Sequence, residues 1–538
     1  MKINHKEVVQ MKLNNRKKTN IIIILADDMG FSDIGCYGSE IDTPYLNEMA
    51  KNGVVCSQMY NNARCCPSRA SILTGLYPHK TGIGHMVDYL DIPGYEGYIN
   101  NKCVTIAEVL KANGYRTAMS GKWHVGGTYH LDGSVRDEHQ LHPTPLTRGF
   151  ERFYGTLEGA SSYFNPHTLY DQNKAISVSA DQDFYYTDAI SDHAVGMIEE
   201  FSSLDDPFFL YVAYTAPHWP LQAREKDIEK YKDTYDGGWD QLRVKRYKRL
   251  IEQGIIQDQW DLSARDENSY PWEDADNKEW ESMRMAVYAA QIDRMDQGIG
   301  RIRRTLQELN IENDTLIMFM SDNGGCAELL QENGWLEEYV PFTRNGSHII
   351  PGNRPDRMPG GEDTYMSYDL PWANASNTPF RYFKHWVHEG GISTPFICYW
   401  PDKIAPCENI IHSPMHFIDI MATCIDMAAV KYPQQYHGVP IKPLDGESVL
   451  PALLGKRWER NRPIFWEHEG NLAVRFQRYK LVKKFRCAWE LYDMETDRTE
   501  QHDLAPANKD IVNQLEQLYL EWAHKTGVVD FHVVQGTN

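Results

Sequence analysis

Four short strand-like runs divide the chain. Ile21-Ile-Ile-Ile-Leu25, Tyr115 to Met119, Phe208-Phe-Leu-Tyr-Val212 and Thr315 to Met320 are short and rich in β-branched or aromatic residues. The first, third and fourth, apolar and without polar alternation, predict strands buried on both faces of a parallel sheet, and the mixed Tyr115-Arg-Thr-Ala-Met119 predicts a strand beside them. Between them the apolar spacing switches to helical. Thr43 to Lys51 reads as a helix with Thr43 as cap and Pro44 at its first position, and Thr105 to Asn113 as another, ended by Gly114. Glu281 to Leu309 predicts a long helix whose carboxylates serve structure. Gln241 to Gly254 predicts a helix within a charged, aromatic-rich insertion, about 221 to 281, flanking a pocket. Pro341 to Pro379 reads as an irregular, substrate-facing loop. Pro395 to Tyr399 predicts a further strand and Ser413 to Ala429 a helix. After that the pattern changes to short strands over Ile464 to Val482, a hairpin of Trp489–Asp493 with Glu495–Leu504, and a closing helix, Asp510 to Lys525. The expected fold class is α/β: a large mixed, mostly parallel sheet sandwiched by helices, with a smaller C-terminal α+β subdomain of antiparallel sheet and helix. The expected boundaries are a basic tail over 1–18, a catalytic domain over 19–455 and the subdomain over 456–538.

Composition narrows the function. The 538 residues are 42% hydrophobic and 24% charged, the balance of a globular enzyme. A net charge of −20 argues against nucleic acid as a partner. The ten cysteines show no Cys-x-x-Cys pair, so neither a zinc site nor a disulfide framework is signalled. The first twenty residues are polar and basic, and the five-residue run behind them is too short for a signal core or a membrane span. Taken as written, the chain is expected to be cytoplasmic and independent of membranes; a different true N-terminus would make it periplasmic or secreted.

The strand ends carry the chemistry. Asp27-Asp28 follows the first run, at the carboxyl edge where open α/β sheets place ligands. Asp322-Asn323 follows the fourth in the same way. Either pair alone reads as a turn; together they suggest a shared cation. Four oxygen donors without His or Cys suit Ca²⁺, with Mg²⁺ possible, rather than zinc. Lys122 and His124 sit two apart after the second run, so an extended chain points both to one side. His218 lies between Pro217 and Pro220, a restricted backbone that aims its imidazole. Read singly, each is ordinary loop or surface chemistry, as is Lys384.

One stretch binds these fragments together. Cys65-Cys-Pro-Ser-Arg69, followed by Leu73-Thr-Gly75, predicts a turn opening into a helix, with Cys65 at an N-terminus that favours anions. The pattern Cys-x-Pro-Ser-Arg-x-x-x-Leu-Thr-Gly resembles the signature of the type I sulfatases, an alkaline phosphatase-like family. Gly121-Lys-Trp-His124, Ala216-Pro-His-Trp-Pro220 and the segment from Asn377 through Lys384 to Gly391 resemble other sulfatase segments. The similarity runs from about residue 19 to the C-terminus and is closest to the arylsulfatase-like branch.

The resemblance implies a sulfuric ester hydrolase that cleaves sulfate monoesters, aryl or carbohydrate, to alcohol and sulfate. It implies oxidation of Cys65, rather than Cys66, to Cα-formylglycine by a maturation enzyme acting as partner. Asp27, Asp28, Asp322 and Asn323, with modified Cys65, would hold the cation. Arg69, Lys122 and Lys384 would supply fixed positive charge against the acidic whole. His218 with Lys384 would protonate the leaving alcohol, and His124 would deprotonate residue 65 to release sulfate. Two alternatives stay open: a phosphate or phosphonate ester hydrolase of the same superfamily, and a non-catalytic binder of sulfated glycans.

Overall fold

A computed structural model describes residues 19–130, 134–137, 140–330, 342–404 and 410–536. The expected basic tail over 1–18 lies outside them, as does Pro341 at the start of the expected loop. Ten strands form the main sheet: β1 (Asn20–Asp27), β2 (Val54–Cys56), β3 (Arg116–Gly121), β4 (Arg152–Thr156), β5 (Leu169–Asp171), β6 (Lys174–Ala175), β7 (Phe208–Pro217), β8 (Thr315–Ser321), β9 (Phe396–Tyr399) and β10 (Ile410–Ile411). Their spatial order is β10-β2-β9-β8-β1-β7-β3-β4-β5-β6. β8, β1, β7, β3 and β4 are mutually parallel, whereas β9 runs antiparallel to both neighbours. The four predicted strands are therefore the four central strands.

Each central strand is sealed on both faces. Ile22 and Ile24 of β1 pack into a core with the helices Pro44–Lys51, Tyr186–Ser202 and Lys278–Glu308. Ile21, Ile23 and Leu25 point the other way, into a core with the helices Cys65–Thr74, Ile106–Lys111 and Ile418–Met427. Burying such branched side chains stabilises the sheet by roughly 1.5–3 kcal/mol each. The sandwich fixes the strand ends, and with them the functional loops.

A second sheet follows: β11 (Ile464–His468), β12 (Asn471–Phe476), β13 (Tyr479–Lys483) and β14 (Glu490–Asp493), antiparallel and in sequence order. One face packs Val474, Leu481 and Leu491 under the closing helix Lys509–Thr526, through Leu515, Tyr519 and Trp522. The other sets Trp466, Ala473 and Val482 against Tyr60, Ala63 and Val387 of the main body. Glu389 is buried between Lys480 (2.9 Å) and Arg498 (2.9 Å), tying the C-terminal region to the main body by charge.

Several local expectations are corrected. Thr43 does not cap its helix with its side chain; Asp296 of the long helix takes the N–H groups of Tyr45 and Leu46 instead, at 3.0 and 2.8 Å. The segment 342–379 contains a helix, Asp369–Ser376, with Pro371 in the first turn, where proline is tolerated. Trp489–Asp493 supplies β14, which pairs back onto β13 rather than forward onto 495–504. The helix expected over 413–429 spans Ile418–Met427, because Met415–His416 forms a short strand against Met59–Tyr60.

Candidate active site

The stretch from Cys65 is a helix, Cys65–Thr74, with Arg64 at its N-cap and Gly75 (φ 70°) ending it in the left-handed region that glycine accepts. Cys65 and Arg69 are one turn apart and so share a face. Ser68 fixes the entry by accepting the N–H of Asn62 at 2.9 Å. Cys65 is 2% exposed. Arg69, wholly buried, donates twice to Asp322 Oδ2 (3.0 and 2.7 Å) and once to the carbonyl of Lys122 (3.0 Å). Its guanidinium also lies 3.5 Å from Asp27 Oδ2.

The parallel strands β1 and β8 bring their carboxyl ends side by side. Asp28 takes a left-handed φ of 62°, and its N–H meets Asp322 Oδ1 at 3.2 Å. Asn323 Nδ2 donates to Asp28 Oδ1 at 2.7 Å. Lys122 Nζ reaches Asp27 Oδ2 at 2.5 Å and Lys384 Nζ reaches Asp28 Oδ2 at 2.8 Å. Two oxygens of this cluster, Asp27 Oδ1 and Asn323 Oδ1, are buried without a hydrogen-bond partner. Such atoms are costly unless something electropositive faces them. The donor set is all oxygen, with hard carboxylates, and fits a Ca²⁺ or Mg²⁺ ion.

The protonation pattern agrees with that fit. Burial pushes the carboxyls of Asp27 and Asp322 above the ordinary range, and Lys122 and Arg69 offset only part of the rise. At Asp28 burial pushes the same way, but His218 and Lys384 outweigh it and the net shift is downward. A bound cation would favour the ionised form of all three.

Lys122 and His124 reach the cluster by a turn rather than by strand alternation. β3 ends at Gly121, and His124 has φ 51°. The His124 ring lies 3.3–3.4 Å from Cys66 Sγ and also interacts with Cys65. Hydrogen bonding from Cys66, then His124 and Lys122, holds the Cys65 thiol well below the usual thiol range, while burial pushes Cys66 up. Burial lowers both His124 and His218 to about 4. His218 Nδ1 faces the carbonyl of Trp219 at 2.7 Å, so its N–H points there, and Nε2 lies between Asp28 Oδ2 at 3.3 Å and Lys384 Nζ at 3.5 Å.

These side chains open into a cavity of about 520 Å³ whose described lining includes Cys65, Tyr129, Arg136, His167, Trp219 and Glu328. Nothing in the sequence pattern had marked Glu328. It pairs with Arg64 at 2.8 Å and accepts Trp219 Nε1 at 2.8 Å, and burial notwithstanding, Lys384 and Arg64 hold its carboxyl low. Neither the 221–281 insertion nor the segment 342–379 contributes to the described lining, contrary to expectation. The insertion is tied elsewhere, through Arg246 to Asp33 and Glu40.

Comparison with known proteins gives concordant results. A sequence model of the sulfatase family matches residues 19–430, and one for the C-terminal region of N-sulphoglucosamine sulphohydrolase matches 379–525. An uncharacterized sulfatase of Schizosaccharomyces pombe is 30% identical over 95% of each chain. An arylsulfatase of Klebsiella aerogenes is 33% identical over 83% of this chain and 94% of its own. Among solved structures, Ps i-CgsB in complex with k-i-k-neocarrahexaose superposes with a TM-score of 0.66 at 25% identity, covering 96% of both chains.

Proposed function

Because the chain belongs to the sulfatase family, we propose that this site hydrolyses sulfate monoesters of aryl or carbohydrate alcohols, using Cys65 in its formylglycine form. The observation that carries the reading is the pair of unpartnered oxygens, Asp27 Oδ1 and Asn323 Oδ1, in a cluster that also receives Arg69, Lys122 and Lys384. Three carboxylates there balance three fixed cations. A divalent ion held by Asp27, Asp28, Asp322 and Asn323 would make the site net positive and suited to an anionic ester, and would polarise the bound sulfate. Formylglycine at position 65, made by a maturation enzyme, would supply as its hydrate two hydroxyl groups on one carbon.

The chain's own residues do the rest. Lys122 and Lys384 position sulfate oxygens, and Arg69 stiffens the cluster through Asp322. With its Nδ1–H committed to Trp219, His218 turns Nε2 to both Lys384 Nζ and Asp28 Oδ2. The proton for the leaving oxygen is therefore shared between Lys384 Nζ and His218 Nε2. His124 takes a proton at residue 65. Tyr129 and Trp219 give the cavity flat walls for a ring-shaped alcohol.

The test is turnover of paired aryl sulfates and aryl phosphates by protein whose Cys65 is fully modified. Sulfate release should dominate. Faster phosphate or phosphonate cleavage, or binding of sulfated sugars without turnover, would replace this reading.

A further inference from the structure

Beside the candidate active site, three segments far apart in sequence bring imidazoles around one carboxylate. Glu469 sits at the tip of the β11–β12 hairpin with φ 51°. Its Oε2 lies 2.8 Å from His385 Nδ1, and its Oε1 lies 3.6 Å from His468 Nε2 and 3.0 Å from His85 Nε2. The ligand atoms of His385, His468 and Glu469 all fall within 4.8 Å of one another. His468 is fully buried, and neither ring nitrogen has a hydrogen-bond partner. A neutral imidazole always carries one N–H and one lone pair, so this burial is costly as it stands.

We propose that His385, His468 and Glu469 form a second metal site, for a borderline cation such as Zn²⁺. Two imidazoles and a carboxylate are the donor set that cation prefers. A tetrahedral shell with bonds of about 2.0 Å separates its ligand atoms by about 3.3 Å, and the Glu469 oxygens already stand 2.8 and 3.6 Å from the two imidazole nitrogens. His85 donates to Glu469 and orients the carboxylate from outside. On the far side of the His385 ring, the Asn471 amide nitrogen lies 3.4 Å from Nε2, its orientation fixed by the His468 carbonyl (3.0 Å) and the Phe485 N–H (3.1 Å), so an ion at Nδ1 would move the ring proton to Nε2 at the cost of that one long contact. His385 and Glu469 stay partly exposed, at 30% and 23% of their side chains, which gives the ion an entry. The site ties the hairpin to the pocket wall, because His385 follows Lys384 and donates its N–H to the carbonyl of Ala63 at 2.8 Å.

The experiment is equilibrium dialysis of full-length protein against Zn²⁺, with excess Ca²⁺ keeping the oxygen cluster filled, followed by elemental analysis. Wild type should retain one more equivalent of zinc than His468→Ala or Glu469→Gln, and zinc should raise the melting temperature of wild type alone. Co²⁺ in place of zinc should give the intense visible absorption of a four-coordinate nitrogen and oxygen site. Should His468→Ala fold poorly, the near-isosteric Glu469→Gln and the Co²⁺ spectrum of wild type still decide. Equal zinc in all three proteins, no zinc in wild type, or a weak six-coordinate Co²⁺ spectrum would each overturn the proposal and leave Glu469 as a hydrogen-bond acceptor only.

Discussion

Asn323 donates through Nδ2 to Asp28 at 2.7 Å while its Oδ1 stays buried and unpartnered. One end of the amide fixes the other, and the free oxygen is aimed with little freedom left. Removing that oxygen should cost the cation. Asn323→Ala is expected to lose stoichiometric calcium on dialysis, and turnover should fall by roughly 100-fold, the upper scale for loss of groups that support a metal site. Elemental analysis checks it. Calcium retained by the variant, or full turnover after exhaustive chelation, is the contrary result.

Active protein should carry a loss of about 18 Da on the peptide containing Cys65, since conversion of CH₂SH to an aldehyde exchanges sulfur for oxygen. Turnover per milligram should scale with the modified fraction. Cys65→Ser should bind substrate and fail to turn over, because a single hydroxyl cannot eliminate sulfate once esterified. Cys66→Ala removes sulfur contacts to His124 and to the Cys65 thiol, the second of which has no role once Cys65 is an aldehyde, and should retain most activity. Wild-type turnover by Cys65→Ala would refute the assignment.

Leaving-group dependence tests His218. His218→Asn should slow alkyl and sugar sulfates far more than nitrophenyl sulfate, whose alcohol departs without help. Equal losses on both would remove His218 from proton transfer. Rates across a series of leaving-group pKa values make the distinction.

Acid should destabilise the fold through His416, outside the candidate active site. Burial, reinforced by Arg460, holds this ring well below the ordinary histidine value, and its bare Nδ1 accepts the N–H of Ile418 at 3.2 Å. The folded ring stays neutral where the unfolded ring protonates. Stability is therefore full above about pH 6.5 and is lost as pH falls below it. Urea midpoints should decline from pH 7 toward 5, and His416→Gln should decline less. Parallel slopes would exclude the residue.

Three of the central strands were plain in the sequence because short apolar runs such as Ile21–Leu25 and Phe208–Val212, with no polar interruption, fit few other structures. The residues at their ends could then be placed on one edge. The long helix's role in capping through Asp296 was not legible, because Asp296 and Tyr45 meet only once the sandwich closes. Glu328 stayed hidden for a related reason. It lies in a loop with no period, and its value depends on Arg64 and Lys384 arriving from elsewhere. The same holds for Glu469 and its three histidines. The Gly, Pro, Asn and Asp content of 341–379 hid the helix Asp369–Ser376, since such residues read as loop until their positions in a helix are known.

The bond from Arg69 to Asp322 spans 253 residues of chain. During synthesis the Cys65 segment therefore leaves the ribosome well before the strand that locks it in place. At about 5–20 residues per second, the gap is roughly 10–50 s. Over that interval β8, Lys384 and the second sheet do not yet exist, and the thiol that ends at 2% exposure cannot be enclosed by them. If Cys65 is matured as proposed, the order of the elements along the gene would act as a timer for that step. A circular permutant beginning just after β7 would make β8 first and shorten that window. Such a protein should fold to the same structure yet carry a smaller modified fraction at Cys65.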